Sequence, residues 1–164
     1  MKKLEELLRD VKVVEITCSD EIIISSICID SQKCEQSSLF VAIRGAKNDG
    51  HNFIEKAIRN GASVVICEEL LSIIKEKAIY IKVENTQIAL AQIARNFFNN
   101  PSSKLKLIGV TGTNGKTTTA TLLYRLFQKL GYKAGLISTV KNIIDEKELS
   151  TNNTTPDSLT LNRF

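Results

Sequence analysis

Residues Gly112, Thr113, Asn114, Gly115, Lys116, Thr117 and Thr118 combine the groups that hold a nucleoside triphosphate. Glycines let the backbone turn so that N–H groups surround phosphate oxygens, a lysine adds a mobile positive charge, and a hydroxyl suits Mg²⁺. Lys116 and Thr117 are therefore the candidate catalytic groups, Thr117 is the candidate metal ligand, and the whole run is the candidate ATP cradle. The general phosphate-loop pattern also wants a glycine five places ahead of the one preceding lysine. Val110 stands there; Gly109 is one residue too early, and Gly112 lies inside the loop instead. A plain strand-to-helix turn is the bland alternative. The Gly112 and Gly115 punctuation, the Lys-Thr-Thr-Thr run and the flanking elements argue against it.

Those elements must aim the loop. Leu105, Leu107, Ile108 and Val110 read as a buried strand ahead of it. Behind it Ala120, Leu123, Phe127 and Leu130 share one helical face, with Leu122 and Leu126 beside them. A second strand is expected over 134–140, followed by a basic-acidic turn region over 142–148. Strand, helix, strand implies a parallel βαβ unit, the start of a doubly wound α/β domain. Thr155 then reads as a helix cap, with Pro156 at the first helical position. Two strands and one helix cannot cover both faces of a parallel sheet. The expectation is the front portion of a longer protein.

A polar stretch from Asn99 to Lys104, containing Pro101, reads as a linker. It divides the chain into domains 1–100 and 101–164. In the first, a helix over 2–9 carries Leu4, Leu7 and Leu8, and strands are expected over 11–16, 21–29 and 41–45. Asn52 and Glu55 have capping-box spacing ahead of Phe53, Ile54, Ala57 and Ile58, and Gly61 reads as the stop. A strand over 63–67, a short helix over 70–75 and a strand over 79–83 follow. Asn85 then caps a helix whose Leu90, Ile93, Ala94 and Phe97 share a face.

Composition narrows the function. A chain of 164 residues with 43% hydrophobic and 24% charged residues is that of a soluble globular protein. The net charge of +4 suits an anionic ligand, while spread cations and sparse aromatics argue against nucleic acid. Cys18, Cys28, Cys34 and Cys67 form no C-x-x-C pair and His51 is the lone histidine, so a zinc site is not expected. The thiols read as inert packing and His51 as a surface residue at a helix start. No segment has the length of a membrane span, and the basic N-terminus lacks a following apolar stretch. Cytoplasmic location is the expectation.

Three stretches together carry a family resemblance. They are Gly112 to Thr119, Ile29-Asp30-Ser31 with Ser38 to Gly45 and Asp49 to Ile54, and Asn153-Thr154-Thr155-Pro156-Asp157. On them the chain resembles the Mur ligases, the ATP-dependent amide ligases of peptidoglycan synthesis, and most of all the MurE type. The likeness accounts for the displaced glycine, and covers nearly the whole chain. It implies a small N-terminal α/β uridine-nucleotide domain followed by the start of a P-loop, doubly wound ATP-binding domain. It implies that Ile29 and Ser31, with Ala46, Lys47 and Asn48, contact the UDP-sugar. Asn153, Thr154 and Thr155 would hold the muramoyl-peptide part, and Gly112 to Thr118 ATP. The implied partners are UDP-N-acetylmuramoyl-dipeptide and an amino acid, L-lysine or meso-diaminopimelate, with ATP and Mg²⁺. The implied reaction phosphorylates a carboxylate and lets the amine attack the acyl phosphate. The C-terminal ligase domains that complete such a site are not in this sequence, so the chain alone is expected to be inactive. Gln32 stands where the family usually shows arginine. A non-catalytic UDP-sugar or ATP module and an unrelated phosphate-loop NTPase are the alternative readings.

Overall fold

Val64-Val65-Ile66 and Ile79-Tyr80-Ile81 are continuous apolar runs, as strands buried on both faces require. The computed structural model describes residues 1–18, 21–45, 48–70, 77–144, 147–149 and 156–163. It divides into two compact units, Met1–Pro101 and Ser102–Phe164.

The first unit contains β1 (Lys2–Lys3), α1 (Leu4–Leu7), β2 (Val13–Ile16), β3 (Ile23–Ile24), β4 (Ser26–Cys28) and β5 (Ser38–Val41). Then come α2 (Ile54–Arg59), β6 (Ala62–Cys67), β7 (Ile79–Val83) and α3 (Thr86–Phe97). Its five-stranded sheet has the order β2-β7-β6-β5-β4. Strands β4 to β7 run parallel, and β2 closes one edge antiparallel to β7. On one face Phe40, Val65, Cys67 and Tyr80 pack with Ile54 and Ala57 of α2. Their neighbours Leu39, Val41, Val64, Ile66 and Ile81 point the other way and are equally buried. Helix α3, with Leu90, Ile93 and Ala94 buried, lies against β6 and α1. Both faces of the parallel strands are therefore covered.

Local signals explain the ends. Asn85 Oδ1 accepts the Ile88 N–H at 2.9 Å, the expected cap of α3. Gly61 follows α2 at φ +110°, and a Cβ there would stand 2.8 Å from the Gln36 nitrogen. Other expectations change. The strand over 21–29 breaks at Ser25, because β3 pairs with β1 while β4 pairs with β5. The helix over 2–9 shrinks to Leu4–Leu7, since Lys2 and Lys3 form β1. The Asn52 capping box does not form. A 3₁₀ turn over Gly50–Phe53 precedes α2, and Asp49 caps that turn instead. The short helix expected over 70–75 falls largely outside the described residues.

The second unit holds α4 (Lys116–Lys129), β8 (Leu136–Ile137), β9 (Asn142–Ile144), β10 (Lys147–Leu149) and α5 (Ser158–Arg163). Tyr124, Leu136 and Ile143 form its small core, with Ala120 and Ala134 against it. Two expectations are overturned here. Residues 105–110 form no strand, and Leu107 is 90% exposed. The expected turn region is the β9–β10 hairpin, and β8 pairs antiparallel with β9 rather than in a parallel βαβ unit. A parallel strand has to be paired and covered on both faces, and the described residues give 105–110 neither. The last helix starts at Ser158, with Asp157 taking the Thr160 N–H at 2.8 Å. Asp157 is therefore its cap, Pro156 stands ahead of the helix rather than at its first position, and Thr155 lies outside the described residues.

Apolar deletions in the two units should differ sharply. Phe40→Ala should cost about 3–5 kcal/mol, as for a large core side chain, whereas Leu107→Ala should stay within about 0.5 kcal/mol. Urea unfolding followed by amide NMR in each unit measures both. A large Leu107 cost would show that residues 105–110 are packed.

Candidate functional site

Parallel strands β4, β5 and β6 end side by side, since Cys28 pairs with Phe40 and Val41 with Ile66. Segments leaving their carboxyl ends gather along one sheet edge, where open α/β sheets take ligands. Ile29 to Ser31 leave β4, residues 42–50 leave β5, and Glu68 and Glu69 leave β6.

The turn after β4 is held from two directions. Asp30 Oδ1 accepts the Gln32 N–H at 2.9 Å and so caps the 3₁₀ turn Ser31–Lys33. Asn60, at the end of α2, donates its side-chain amide to the Ser31 carbonyl at 2.8 Å. Ile29 is 36% exposed and Ser31 only 5%. Ile29 therefore offers most of the accessible surface of this pair.

The turn after β5 is tighter. The Gly45 N–H donates to the Asn48 carbonyl at 3.0 Å, and the Gly50 N–H donates to Ile43 at 2.8 Å. Gly50 has no room for a side chain, because a Cβ would lie 2.6 Å from the Ile43 nitrogen. Asn48 thus closes the turn, while Ala46 and Lys47 lie outside the described residues.

Side chains brace this turn against β6. Arg44 reaches Asp49 at 3.4 Å, Glu68 at 3.7 Å and Glu69 at 2.7 Å. His51, expected at the surface, has a side chain only 10% exposed and uses both ring nitrogens. Its Nε2 accepts the Glu68 N–H at 2.9 Å, so Nδ1 carries the proton and donates to Asp49 Oδ1 at 2.6 Å. Glu68 also accepts both the N–H and the hydroxyl of Thr86, at 2.9 Å each, which ties the brace to the start of α3. Asn60 and Glu68 were not singled out from the sequence, and Arg44 and Asp49 entered only within the stretches that carry the family resemblance. Only Asp49 gave a local signal, as an Asx turn two residues before His51.

The His51 backbone N–H, then its ring, and Arg44 hold the Asp49 carboxyl below the usual carboxylate range. Arg44 does the same for Glu69, whose carboxylate raises the guanidinium in return.

The phosphate loop belongs to the second unit. Gly112 and Gly115 adopt φ of +142° and +78°, a region costly for other residues. Gly115 is the N-cap of α4, and the first intrahelical bond runs from the Thr119 N–H to its carbonyl at 2.9 Å. The N–H groups of Gly115, Lys116, Thr117 and Thr118 therefore have no intrahelical acceptor. They add to the positive end of the helix dipole. Lys116 Nζ folds back onto the Gly112 and Thr113 carbonyls, the latter at 3.2 Å. The donor set fits a polyphosphate, with a mobile cation beside it. Asn153, Thr154 and Thr155 lie outside the described residues.

Acid should remove the Asp49 brace. A carboxyl with a depressed folded pKa contributes stability above its unfolded value and loses it as pH falls through the folded one. Asp49→Asn should thus be less stable than the parent at pH 7, and the gap should close below about pH 4. Denaturant midpoints across pH measure this. A gap that persists undiminished in acid would show that Asp49 braces through shape rather than charge.

Comparison with known proteins gives a family match for each part of the chain. A family model described as "Mur ligase family, catalytic domain" matches residues 23–98, and "Mur ligase middle domain" matches 110–164. The chain is 49% identical over 163 residues to a Cytophaga hutchinsonii protein named UDP-N-acetylmuramoyl-L-alanyl-D-glutamate--2,6-diaminopimelate ligase, covering 99% of this chain and 34% of the relative. A solved structure of a ligase of that name aligns with TM-score 0.64 and 26% identity, over 85% of this chain and 28% of that one. The MurF ligase from Thermotoga maritima in complex with ADP aligns with TM-score 0.50 and 36% identity, over 63% of this chain and 23% of that one. The chain spans about a third of the length of the curated relatives it matches. With one Mur ligase model on each unit and such relatives across 99% of its length, this chain belongs to the Mur ligase family.

Proposed function

We propose that this chain supplies the uridine-sugar and nucleotide-holding parts of a MurE-type ligase. That ligase would join 2,6-diaminopimelate to UDP-N-acetylmuramoyl-L-alanyl-D-glutamate in an ATP-dependent reaction. The observation that carries this reading is the Gly112–Thr118 loop, with N–H groups that lack intrahelical acceptors at the start of α4 and Lys116 beside them. The names of relatives along the whole chain supply the substrate.

In this reading residues 1–100 hold the UDP-sugar and 101–164 begin the ATP-binding domain. Ala46 and Lys47 belong to the uridine-sugar place on the family resemblance alone, while Ile29, Ser31 and Asn48 line it at the carboxyl edge of the first sheet. Their support is that turns leaving adjacent parallel strands meet there. Asn153, Thr154 and Thr155 hold the muramoyl-peptide part, on the strength of the family resemblance alone.

ATP with Mg²⁺ supplies the activation of a carboxylate as an acyl phosphate. The chain's own groups prepare for it. The N–H groups of Gly115 to Thr118 take phosphate oxygens at no cost in helical hydrogen bonds. Lys116 leaves the Gly112 and Thr113 carbonyls for the phosphates, where its charge offsets charge that builds during transfer. Thr117 is the hydroxyl that would hold the metal.

Isothermal titration of the 164-residue chain tests this reading. Mg-ATP should bind the parent, and Lys116→Ala should weaken it about 10–100-fold, the range expected on losing a charged hydrogen bond. Binding of the UDP-muramoyl-dipeptide should be unchanged. Equal ATP affinity for parent and variant would contradict the assignment of Lys116. Binding of ATP without any uridine nucleotide would favour an unrelated phosphate-loop NTPase.

A further inference from the structure

Two of the buried thiols of the first unit lie against each other. Cys28 ends β4 and Cys34 follows the 3₁₀ turn Ser31–Lys33, so the two bracket the segment Ile29–Lys33. They are 5% and 6% exposed, and their sulfurs lie 2.8 Å apart. A disulfide needs about 2.05 Å, so closing the bond takes a shift of under about 1 Å. The other thiols are placed differently: Cys18 is exposed, and Cys67 is buried with its sulfur 3.8 Å from the Ile81 carbonyl.

We propose that Cys28 and Cys34 are a redox modification site, a dithiol that peroxide converts to a disulfide closing the loop around Ile29, Asp30 and Ser31. The two sulfurs have distinct roles. The hydrogen bond that the two sulfurs share lowers the Cys28 thiol and raises that of Cys34, so Cys28 is the thiolate that attacks. Burial raises Cys67 to about 11, which leaves it the weaker competitor.

The chemistry balances. Cys28 thiolate attacks one peroxide oxygen, the O–O bond breaks, and Cys28 becomes a sulfenic acid as the other oxygen leaves as hydroxide and takes a proton to become water. The Cys34 sulfur then attacks the Cys28 sulfur, the S–O bond breaks, and the departing hydroxide takes the Cys34 proton as a second water. Two thiols are oxidised and one peroxide is reduced. A dithiol reductant reverses the step by thiol–disulfide exchange.

Oxidation would act on the segment placed above against the UDP-sugar, and this consequence rests on that reading. The loop's present shape depends on the Asn60 bond to the Ser31 carbonyl and on the Asp30 cap. Drawing Cys28 and Cys34 together moves the backbone between those two anchors.

The 164-residue chain is treated with hydrogen peroxide, its remaining thiols are alkylated, and it is cut with trypsin and a glutamate-specific protease. Lys33 lies between the two cysteines, and Glu21 separates Cys18 from Cys28. The expected product is a Cys28 peptide joined to a Cys34 peptide, two hydrogens lighter than the pair, and lost on reduction or in Cys34→Val. Alkylation of both residues after peroxide, with or without links elsewhere, overturns the proposal. Affinity for the UDP-muramoyl-dipeptide, measured before and after oxidation, should change about fivefold or more, as for an ordinary coupling between two sites. An unchanged affinity with the disulfide formed would overturn the effect on binding. If the reduced chain does not bind that ligand, the substrate reading fails, while the peptide map still decides the thiol pair.

Discussion

Parallel strands have to be covered on both faces, and this one requirement organises the first unit. Strands β4 to β7 meet it with α2 on one side and, on the other, α3, against which α1 packs. Burial then forces the runs around Phe40, Val65 and Tyr80 to be apolar throughout, and leaves polar chemistry only at the strand ends. The carboxyl ends of β4, β5 and β6 are where Asp30, Arg44, Asp49, His51 and Glu68 gather. A sheet whose faces are filled leaves its strand ends as the place for polar groups, and the proposed uridine-sugar place is there.

The second unit solves a different problem with fewer parts. Its sheet is antiparallel, its core rests on Tyr124, Leu136 and Ile143, and α4 leaves Leu122, Leu126 and Leu130 exposed. The loop ahead of α4 needs little of this packing. Its geometry comes from two glycines with positive φ and from a helix end that presents N–H groups. The loop can therefore take its shape where the surrounding sheet is small.

Features set by neighbouring residues were legible in the sequence. The apolar run of β7, the Asn85 cap, the Gly61 stop and the helix after Lys116 are each decided within a few positions. Features set by distant partners were not. His51 reads as a surface residue until Glu68, seventeen positions on, donates to its ring. The break at Ser25 depends on β1 capturing β3, and Asn60 reaches back 29 residues to Ser31. Leu105 to Val110 has strand composition, yet composition does not supply a partner. The contiguous Gly112–Thr118 loop was fully visible, whereas the brace that shapes the turn closed by Asn48 was hidden.

In the proposed function the first unit offers a uridine-sugar edge beside β4 and β5, and the second a phosphate cradle at the start of α4. Amide chemical shifts of the ¹⁵N-labelled chain test it most directly. Addition of Mg-ATP should move the signals of Gly112 and of Gly115 to Thr118, and addition of UDP-muramoyl-dipeptide should move those of Ile29 to Gln32 and of Asn48 to His51. If ATP instead leaves the α4 start unmoved, or the uridine ligand leaves the β4 and β5 turns unmoved, the account is wrong.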